Sequence, residues 1–127
     1  MKAVPAVAIG AVIGAGLRYG IVSALALDEI WSTLLVNLIG CFALGWILVH
    51  GEKFLGTFPR LQSAWRPLLA TGLLGGFTTT SALANQSILL IQTEKSSTAL
   101  LLITASLLGG LLAFHVAQKI ALKGLAK

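Results

Sequence analysis

Two glycines followed by four hydroxyl residues stand together in an otherwise apolar stretch of this 127-residue chain, which there reads Gly75-Gly76-Phe77-Thr78-Thr79-Thr80-Ser81. Glycine frees the backbone from helical geometry, and threonine and serine hydroxyls compete for backbone hydrogen bonds. A helix interrupted at membrane depth directs carbonyl groups at ions, as in transporters. The alternative is a tight packing site whose hydroxyls bond back to their own helix. The pattern favours an ion site.

Two further polar side chains, Arg18 and Asn37, lie within apolar runs. A charge at membrane depth costs about 2.5–3.5 kcal/mol or more unless it reaches the surface or faces water. Arg18 therefore either extends to the membrane surface or lines an aqueous vestibule, where it would attract anions. Asn37 is an amide among Leu and Val residues. It either joins two helices through hydrogen bonds or takes part in transport.

Several kinds of chemistry have no residues to perform them. The sequence contains no nucleophile–base pair, no metal-ligand cluster and no phosphate loop, so we expect no enzymatic activity. The basic residues are scattered without interleaved aromatics, which argues against a nucleic-acid partner. No carboxylate is predicted within the membrane, and proton-coupled drug export normally needs one. All four acidic residues are predicted in loops or at span ends: Asp28, Glu29, Glu52 and Glu94.

The composition predicts an all-α integral membrane protein, because 57% of the residues are hydrophobic and 10% are charged, against about 25% charged in soluble domains. A membrane span needs about 20 mostly apolar residues. Four can be drawn within a single domain, at about 4–27, 31–49, 67–92 and 97–119. The third contains the Gly-Gly and hydroxyl segment and is predicted to be broken. Short connections predict that helices one and two, and helices three and four, are antiparallel neighbours. Gly10 and Gly14 are four residues apart, a spacing that lets helices pack closely.

Lysine and arginine are unevenly distributed between the two ends of the predicted spans. If both termini lie inside the cell, the outside receives only Lys95, and the inside receives seven basic residues: Lys2, Lys53, Arg60, Arg66, Lys119, Lys123 and Lys127. Seven against one is a strong positive-inside bias. We therefore expect one orientation in a bacterial inner membrane, with both termini cytoplasmic.

Four motifs resemble those of the Fluc-type (CrcB-like) bacterial fluoride channels. The segment 10–19, GAVIGAGLRY, resembles their first-helix signature, and the segment 33–45, TLLVNLIGCFALG, resembles the second. Gly72-Leu73-Leu74-Gly75-Gly76-Phe77-Thr78-Thr79 resembles the start of their third-helix break, and Ser106 followed by Gly110 matches the spacing of their fourth helix. The resemblance covers all four spans.

This resemblance implies a four-helix subunit that pairs antiparallel with a second subunit and lets fluoride leave the cell down its gradient. It also implies a structural sodium ion held by backbone carbonyls, which map onto Gly75 and Thr78. The polar residues along the anion path map onto Asn37, Thr79, Ser81 and Ser106, and Arg18 faces a vestibule. Fluoride is small and strongly hydrated, so its path needs close N–H and O–H donors.

The chain departs from the family pattern in the second half of the third span. Two family phenylalanines that point ring edges into the pores are replaced by Thr80 and Leu83, and a family glutamate is replaced by Gln86. Together with the charge bias, these changes predict a heterodimer with a related subunit in the inverted orientation. One alternative is a non-conducting structural subunit of such a channel. Another is a small multidrug transporter, although the lack of a predicted carboxylate within the membrane argues against it.

Overall fold

The structure is a computed structural model that describes residues 3–25, 28–55 and 63–125. All secondary structure within these ranges is helical. The long helices are α1 (Ala3–Leu25), α2 (Glu29–Leu55) and α5 (Ser96–Leu125). Between α2 and α5 lie a π-helical segment (Arg66–Leu73), the single turn α3 (Leu74–Phe77) and α4 (Thr80–Gln92).

Three helices of the described residues are long and apolar enough to cross a membrane: α1, α2 (Glu29–Gly51) and α5. The predicted third span is interrupted after Phe77 and therefore contains no single long helix. Large apolar side chains lie on the outside, where Leu100 and Leu101 of α5 are each 67% exposed. Small residues recur in the interior, as at Ala117 and Ala121, which are fully buried, beside fewer large ones such as Trp65. This inverted distribution confirms the predicted all-α membrane fold, because the exposed leucines suit lipid rather than water.

Helices α2 and α5 run parallel and pack along much of their length. A Cβ atom on Gly109 would lie 3.0 Å from Leu38, and one on Gly110 would lie 3.0 Å from Cys41 Sγ. Farther along both helices, Gly45 lies against the backbone of Phe114. The contacting residues advance in the same direction on both helices, as expected for the second and fourth passes of a chain that crosses back and forth.

Helix α1 packs on the π-helical segment and α3 through glycines on both sides. A Cβ on Gly10 would collide with the Leu68 carbonyl, and a Cβ on Gly14 with that of Leu73. From the other side, a Cβ on Gly76 would collide with the Ala11 carbonyl, and one on Gly72 would lie 2.6 Å from that of Val7. The predicted close approach at Gly10 and Gly14 is therefore made within the chain.

Helices one and two, which were predicted to be antiparallel neighbours, touch each other little. Among the helix pairs in contact within the described residues, α1 and α2 touch least. The glycine face of α1 packs on the third span instead. The companion prediction is confirmed, since α4 packs on α5 across the turn at Thr93–Lys95.

Candidate functional site

The interruption of the third span is centred on Thr78 and Thr79, which both have extended backbone with φ/ψ of −81°/159° and −147°/107°. The Thr78 hydroxyl donates to the Leu74 carbonyl at 3.0 Å and closes the end of α3. The Thr79 hydroxyl accepts from the Ala82 N–H at 3.1 Å and caps the start of α4. Back-bonding of a hydroxyl and interruption of the helix, which the sequence left as alternatives, therefore occur together.

Asn37 of α2 holds the break in place through two hydrogen bonds to one residue. Its Oδ1 accepts from the Thr79 N–H at 2.8 Å, and its Nδ2 donates to the Thr79 carbonyl at 3.2 Å. The amide thus pairs with an extended residue as a neighbouring strand would, and it satisfies backbone groups that the broken helix leaves behind. Within this chain Asn37 joins two helices, the first of the two roles considered from the sequence.

The same bonds release the two carbonyls that were expected to hold a cation. In an uninterrupted α-helix, the Thr79 N–H would donate to Gly75 and the Ala82 N–H to Thr78, each four residues back. Here these donors bond to Asn37 Oδ1 and to the Thr79 hydroxyl instead. No N–H of the described residues replaces them at the Gly75 and Thr78 carbonyls. Gly75 is also exposed, with no atom within 4 Å of where a side chain would begin.

These groups fit a sodium ion. Carbonyl oxygens are the ligands that a hard monovalent cation prefers. The Gly75 carbonyl lies in the last turn of α3 and that of Thr78 directly after it, and the carbonyls at the C-terminal end of a helix carry partial negative charge. Open space at Gly75 leaves room for a cation and for ligands from outside the chain.

A cleft of about 340 Å³ opens where α1 and α2 diverge, with α4 as its third wall. Arg18 is half-buried in the cleft and forms no salt bridge with a described residue. This position agrees with the vestibule interpretation of Arg18. The other polar residues that line the cleft are Tyr19, Glu29, Ser32, Thr33, Thr79, Asn85 and Gln86.

Gln86 connects α4 to the first turns of α2. Its Nε2 donates to the Glu29 carbonyl at 3.0 Å and to Thr33 Oγ1 at 2.8 Å. Its Oε1 is buried and accepts no hydrogen bond within the described residues. The side chain is 7% exposed, so this orphan acceptor is held at the edge of the cleft by the two bonds of its own amide nitrogen.

The remaining predicted site residues lie outside the cleft. Thr80 and Ser81 are exposed on α4, and the Ser81 hydroxyl lies 3.2 Å from that of Thr79. Leu83 packs toward the apolar cluster of Leu90, Ala99 and Leu102 between α4 and α5.

Ser106 is buried on α5, and its hydroxyl has no partner within the described residues. Cys41 contacts Gly110 on the parallel helix pair, and Asn37 and Ser106 each lie four residues earlier. Ser106 is therefore level with Asn37, one helical turn before that contact.

Sequence reasoning did not assign five polar residues of the cleft to the site, namely Tyr19, Glu29, Ser32, Thr33 and Asn85. A signal for Thr33 was present, because it precedes Asn37 by four residues and so shares its face of α2. Asn85 adjoins Gln86 in the sequence. What no pattern showed was that Gln86 reaches across to α2, since that contact joins residues 53 positions apart.

Comparison with known proteins gives consistent matches over nearly the whole chain. Residues 5–118 match the family model described as CrcB-like protein, Camphor Resistance (CrcB). The fluoride-specific ion channel FluC of Oceanobacillus iheyensis is 36% identical over 124 residues, which cover 96% of this chain and 93% of that protein. The FluC of Chloroflexus aurantiacus is 38% identical over 89% of this chain and 90% of its own length. FluC 1 of Desulfitobacterium hafniense is 36% identical over 85% and 93%.

Proposed function

The chain belongs to the CrcB family, and from this membership we propose that it is a subunit of a fluoride-selective channel that releases fluoride passively across a bacterial inner membrane. The relatives named as fluoride-specific ion channels match it along most of their length and its own. The same membership confirms the expectation that the chain is not an enzyme.

The observation that carries this proposal is the broken third span beside a polar cleft at membrane depth. An anion leaves water only where other donors replace its hydration, because unreplaced hydrogen bonds cost several kcal/mol. The cleft presents the Arg18 guanidinium together with hydroxyl and amide groups of α2 and α4. Backbone that is not helical persists at this depth only when it is buried in protein or lines a water-filled cavity.

We further propose that a related subunit in the inverted orientation covers the exposed side of the third span. Polar groups there cannot remain in contact with lipid, and this requirement supports a protein partner. The exposed residues of the third span that carry such side-chain or backbone polar groups are Thr71, Gly75, Thr80, Ser81 and Asn85. Released carbonyls at Gly75 and Thr78 support a sodium ion shared with that partner, since a second copy of the break would supply further oxygens.

The partner is proposed to be a different chain, because the basic residues favour a single orientation. Of the residues behind that bias, Lys2, Arg60 and Lys127 lie outside the described residues. Fusion of the C-terminus to a cytoplasm-only reporter should give a strong signal, and fusion to a periplasm-only reporter should give almost none. Comparable signals from the two fusions would indicate dual insertion and would remove the argument for a heterodimer.

A non-conducting structural subunit is the second candidate. Thr80 and Leu83 favour it, because neither provides the polarised ring edge of the phenylalanines in the family pattern, and Leu83 packs into an apolar cluster. A small multidrug transporter has less support. Among the described side chains, the carboxylates of Asp28, Glu29 and Glu94 are all exposed at helix ends or in turns.

Fluoride efflux from liposomes tests the proposal directly. Vesicles containing this chain with an inverted paralogue should release fluoride rapidly, and vesicles with this chain alone should do so at least tenfold more slowly. Each ~1.4 kcal/mol of lost compensation for dehydration slows permeation tenfold. Rapid efflux from this chain alone would refute the heterodimer, whereas no efflux from any assembly would refute the channel.

A further inference from the structure

A second pocket lies where the start of α2 faces the end of α4, and it shares Glu29 and Gln86 with the polar cleft. Its volume is about 210 Å³. We call it the acidic pocket, because the side chains of Asp28 and Glu29 line it and none of its described lining residues carries a positive charge. The other lining residues are Ile30, Gln86, Leu89, Leu90 and Thr93.

The position of the two carboxylates has a structural reason of its own. Asp28 immediately precedes α2, and its carbonyl accepts from the Ser32 N–H at 2.9 Å. Glu29 lies in the first turn of α2. Negative side chains stabilise the N-terminal end of a helix, which carries partial positive charge. The acidic pair is thus accounted for without a ligand, and evidence for a ligand has to come from another group.

Gln86 provides that evidence. Its side chain is 7% exposed. An amide nitrogen carries two hydrogens, and here they bond to the Glu29 carbonyl and to Thr33 Oγ1. The atom left over is Oε1, a buried acceptor that no described residue satisfies. Since buried polar atoms are almost always satisfied, Gln86 offers an oxygen ligand to the pocket that it lines.

Thr93 adds a further oxygen at the end of α4. Its hydroxyl donates its proton to the carbonyls of Leu89 and Leu90, at 3.0 and 3.2 Å, so the lone pairs of its oxygen remain available. The C-terminal end of a helix such as α4 carries partial negative charge, which favours a cation.

Carboxylates and side-chain amide oxygens are typical ligands of calcium, which takes about six to eight oxygens in flexible geometry and accepts water among them. Magnesium demands a nearly ideal octahedron instead. We propose that the acidic pocket binds a calcium ion through the carboxylates of Asp28 and Glu29 and through Gln86 Oε1, with Thr93 and water completing its coordination.

A cation at this site acts on the neighbouring cleft through its charge. Glu29 and Gln86 line both spaces, and Arg18 lines the cleft. Calcium neutralises the carboxylates that would otherwise repel an anion there, and a positive local field raises the local concentration of anions. Calcium binding itself does not depend on the proposed channel function, so the two can be tested separately.

Terbium luminescence tests the site in the purified full-length protein. Tb³⁺ replaces Ca²⁺ among oxygen ligands, and a nearby tryptophan sensitises its emission. Trp31 lies two positions after Glu29 and is exposed. We expect Tb³⁺ emission that Ca²⁺ abolishes by competition, with Mg²⁺ at least tenfold less effective.

Substitutions identify the ligands. Asp28→Asn and Glu29→Gln each remove one charge with little change of shape and should weaken Tb³⁺ binding at least tenfold. Gln86→Glu keeps an oxygen in the pocket and adds a charge, so it should tighten binding severalfold. Glu94→Gln is the matched control. It removes a negative charge from an exposed side chain at the same end of the molecule that does not line the pocket, and it should leave binding unchanged.

Equal weakening by Glu29→Gln and Glu94→Gln would overturn the site, because diffuse negative charge at this end would then hold the ion. Tb³⁺ emission that Ca²⁺ does not reduce would overturn it as well. Unchanged or weaker binding in Gln86→Glu would refute Gln86 as a ligand. Calorimetric titration of the same variants with calcium chloride provides a second measurement that needs no sensitising tryptophan, and absence of binding heat there would refute the proposed calcium site. Fluoride efflux can succeed or fail independently of all these results.

Discussion

The two halves of the third span are held in the molecule by opposite means. The first half, with the π-helical segment and α3, lies against α1 where four glycines leave no side chain between the backbones. The second half, which begins at the break and continues as α4, packs on α5 and is held to α2 by the amides of Asn37 and Gln86. Close backbone contact leaves no space for a ligand between the first half and α1. Hydrogen bonding across a gap leaves a cleft, so the features that suit ion passage belong to the second half.

Substitution of a glycine where α1 meets the first half of the third span should have the largest effect on folding. A Cβ at Gly14 would collide with the Leu73 carbonyl and lie 2.8 Å from the Phe77 nitrogen. Backbone atoms cannot move aside as a flexible side chain can. We expect Gly14→Val to abolish monodisperse protein in size-exclusion chromatography.

Gly16→Val is the matched control, because no atom lies within 4 Å of the side-chain position at Gly16, which is exposed on the same helix. Equal yields of the two variants would show that α1 and the third span are not packed through Gly14.

Loss of the hydrogen bonds between Asn37 and Thr79, which hold the start of the second half, should leave the protein folded and impair transport. In Asn37→Asp, a carboxylate oxygen replaces Nδ2 and faces the Thr79 carbonyl without a donor between them. A buried unsatisfied acceptor costs about 1–3 kcal/mol, and more when charged. We expect efflux from the complete assembly to slow at least tenfold, with the thermal midpoint of unfolding lowered by several degrees.

Gln92→Glu makes the same chemical change at the exposed end of α4 and should leave efflux unchanged. Unaltered efflux with Asn37→Asp would mean that the polar groups of this chain do not line the working pore. It would favour the structural-subunit function.

Substitution at Gly75, near the boundary between the two halves, should have the smallest effect on the fold of the subunit. It should have a clear effect on the assembly of two subunits. Gly75 has no neighbour within 4 Å of the side-chain position, so Gly75→Val should not disturb the fold of the subunit. If its carbonyl binds a sodium ion shared with the partner, bulk there should weaken assembly. We expect the dimer fraction to fall severalfold, and exchange of sodium for a large organic cation to reproduce the loss with the unmodified chain. A dimer fraction insensitive to both changes would refute the shared cation site.

Much of the site follows from local sequence rules. The order Gly75-Gly76 followed by hydroxyl residues predicts an interruption, because glycine weakens a helix and Thr79 can cap the next one. Gly10 and Gly14 predict close packing because their spacing puts both on one face. The identity of the packing partner was not predictable, since a small residue specifies only that something approaches closely. For this reason the extensive packing of α1 on the third span rather than on α2 was not predicted.

The sequence by itself determined the membrane fold, the interruption and the polar residues near it, because composition, periodicity and glycine placement act through neighbouring residues. Tertiary structure alone decided which hydrogen bonds those residues make. Asn37 meets Thr79 across 42 positions, and Gln86 meets Thr33 across 53. A side-chain amide has donors and acceptors that many partners could satisfy, so its role depends on which backbone groups the folded helices bring to it. That choice releases the carbonyls of Gly75 and Thr78.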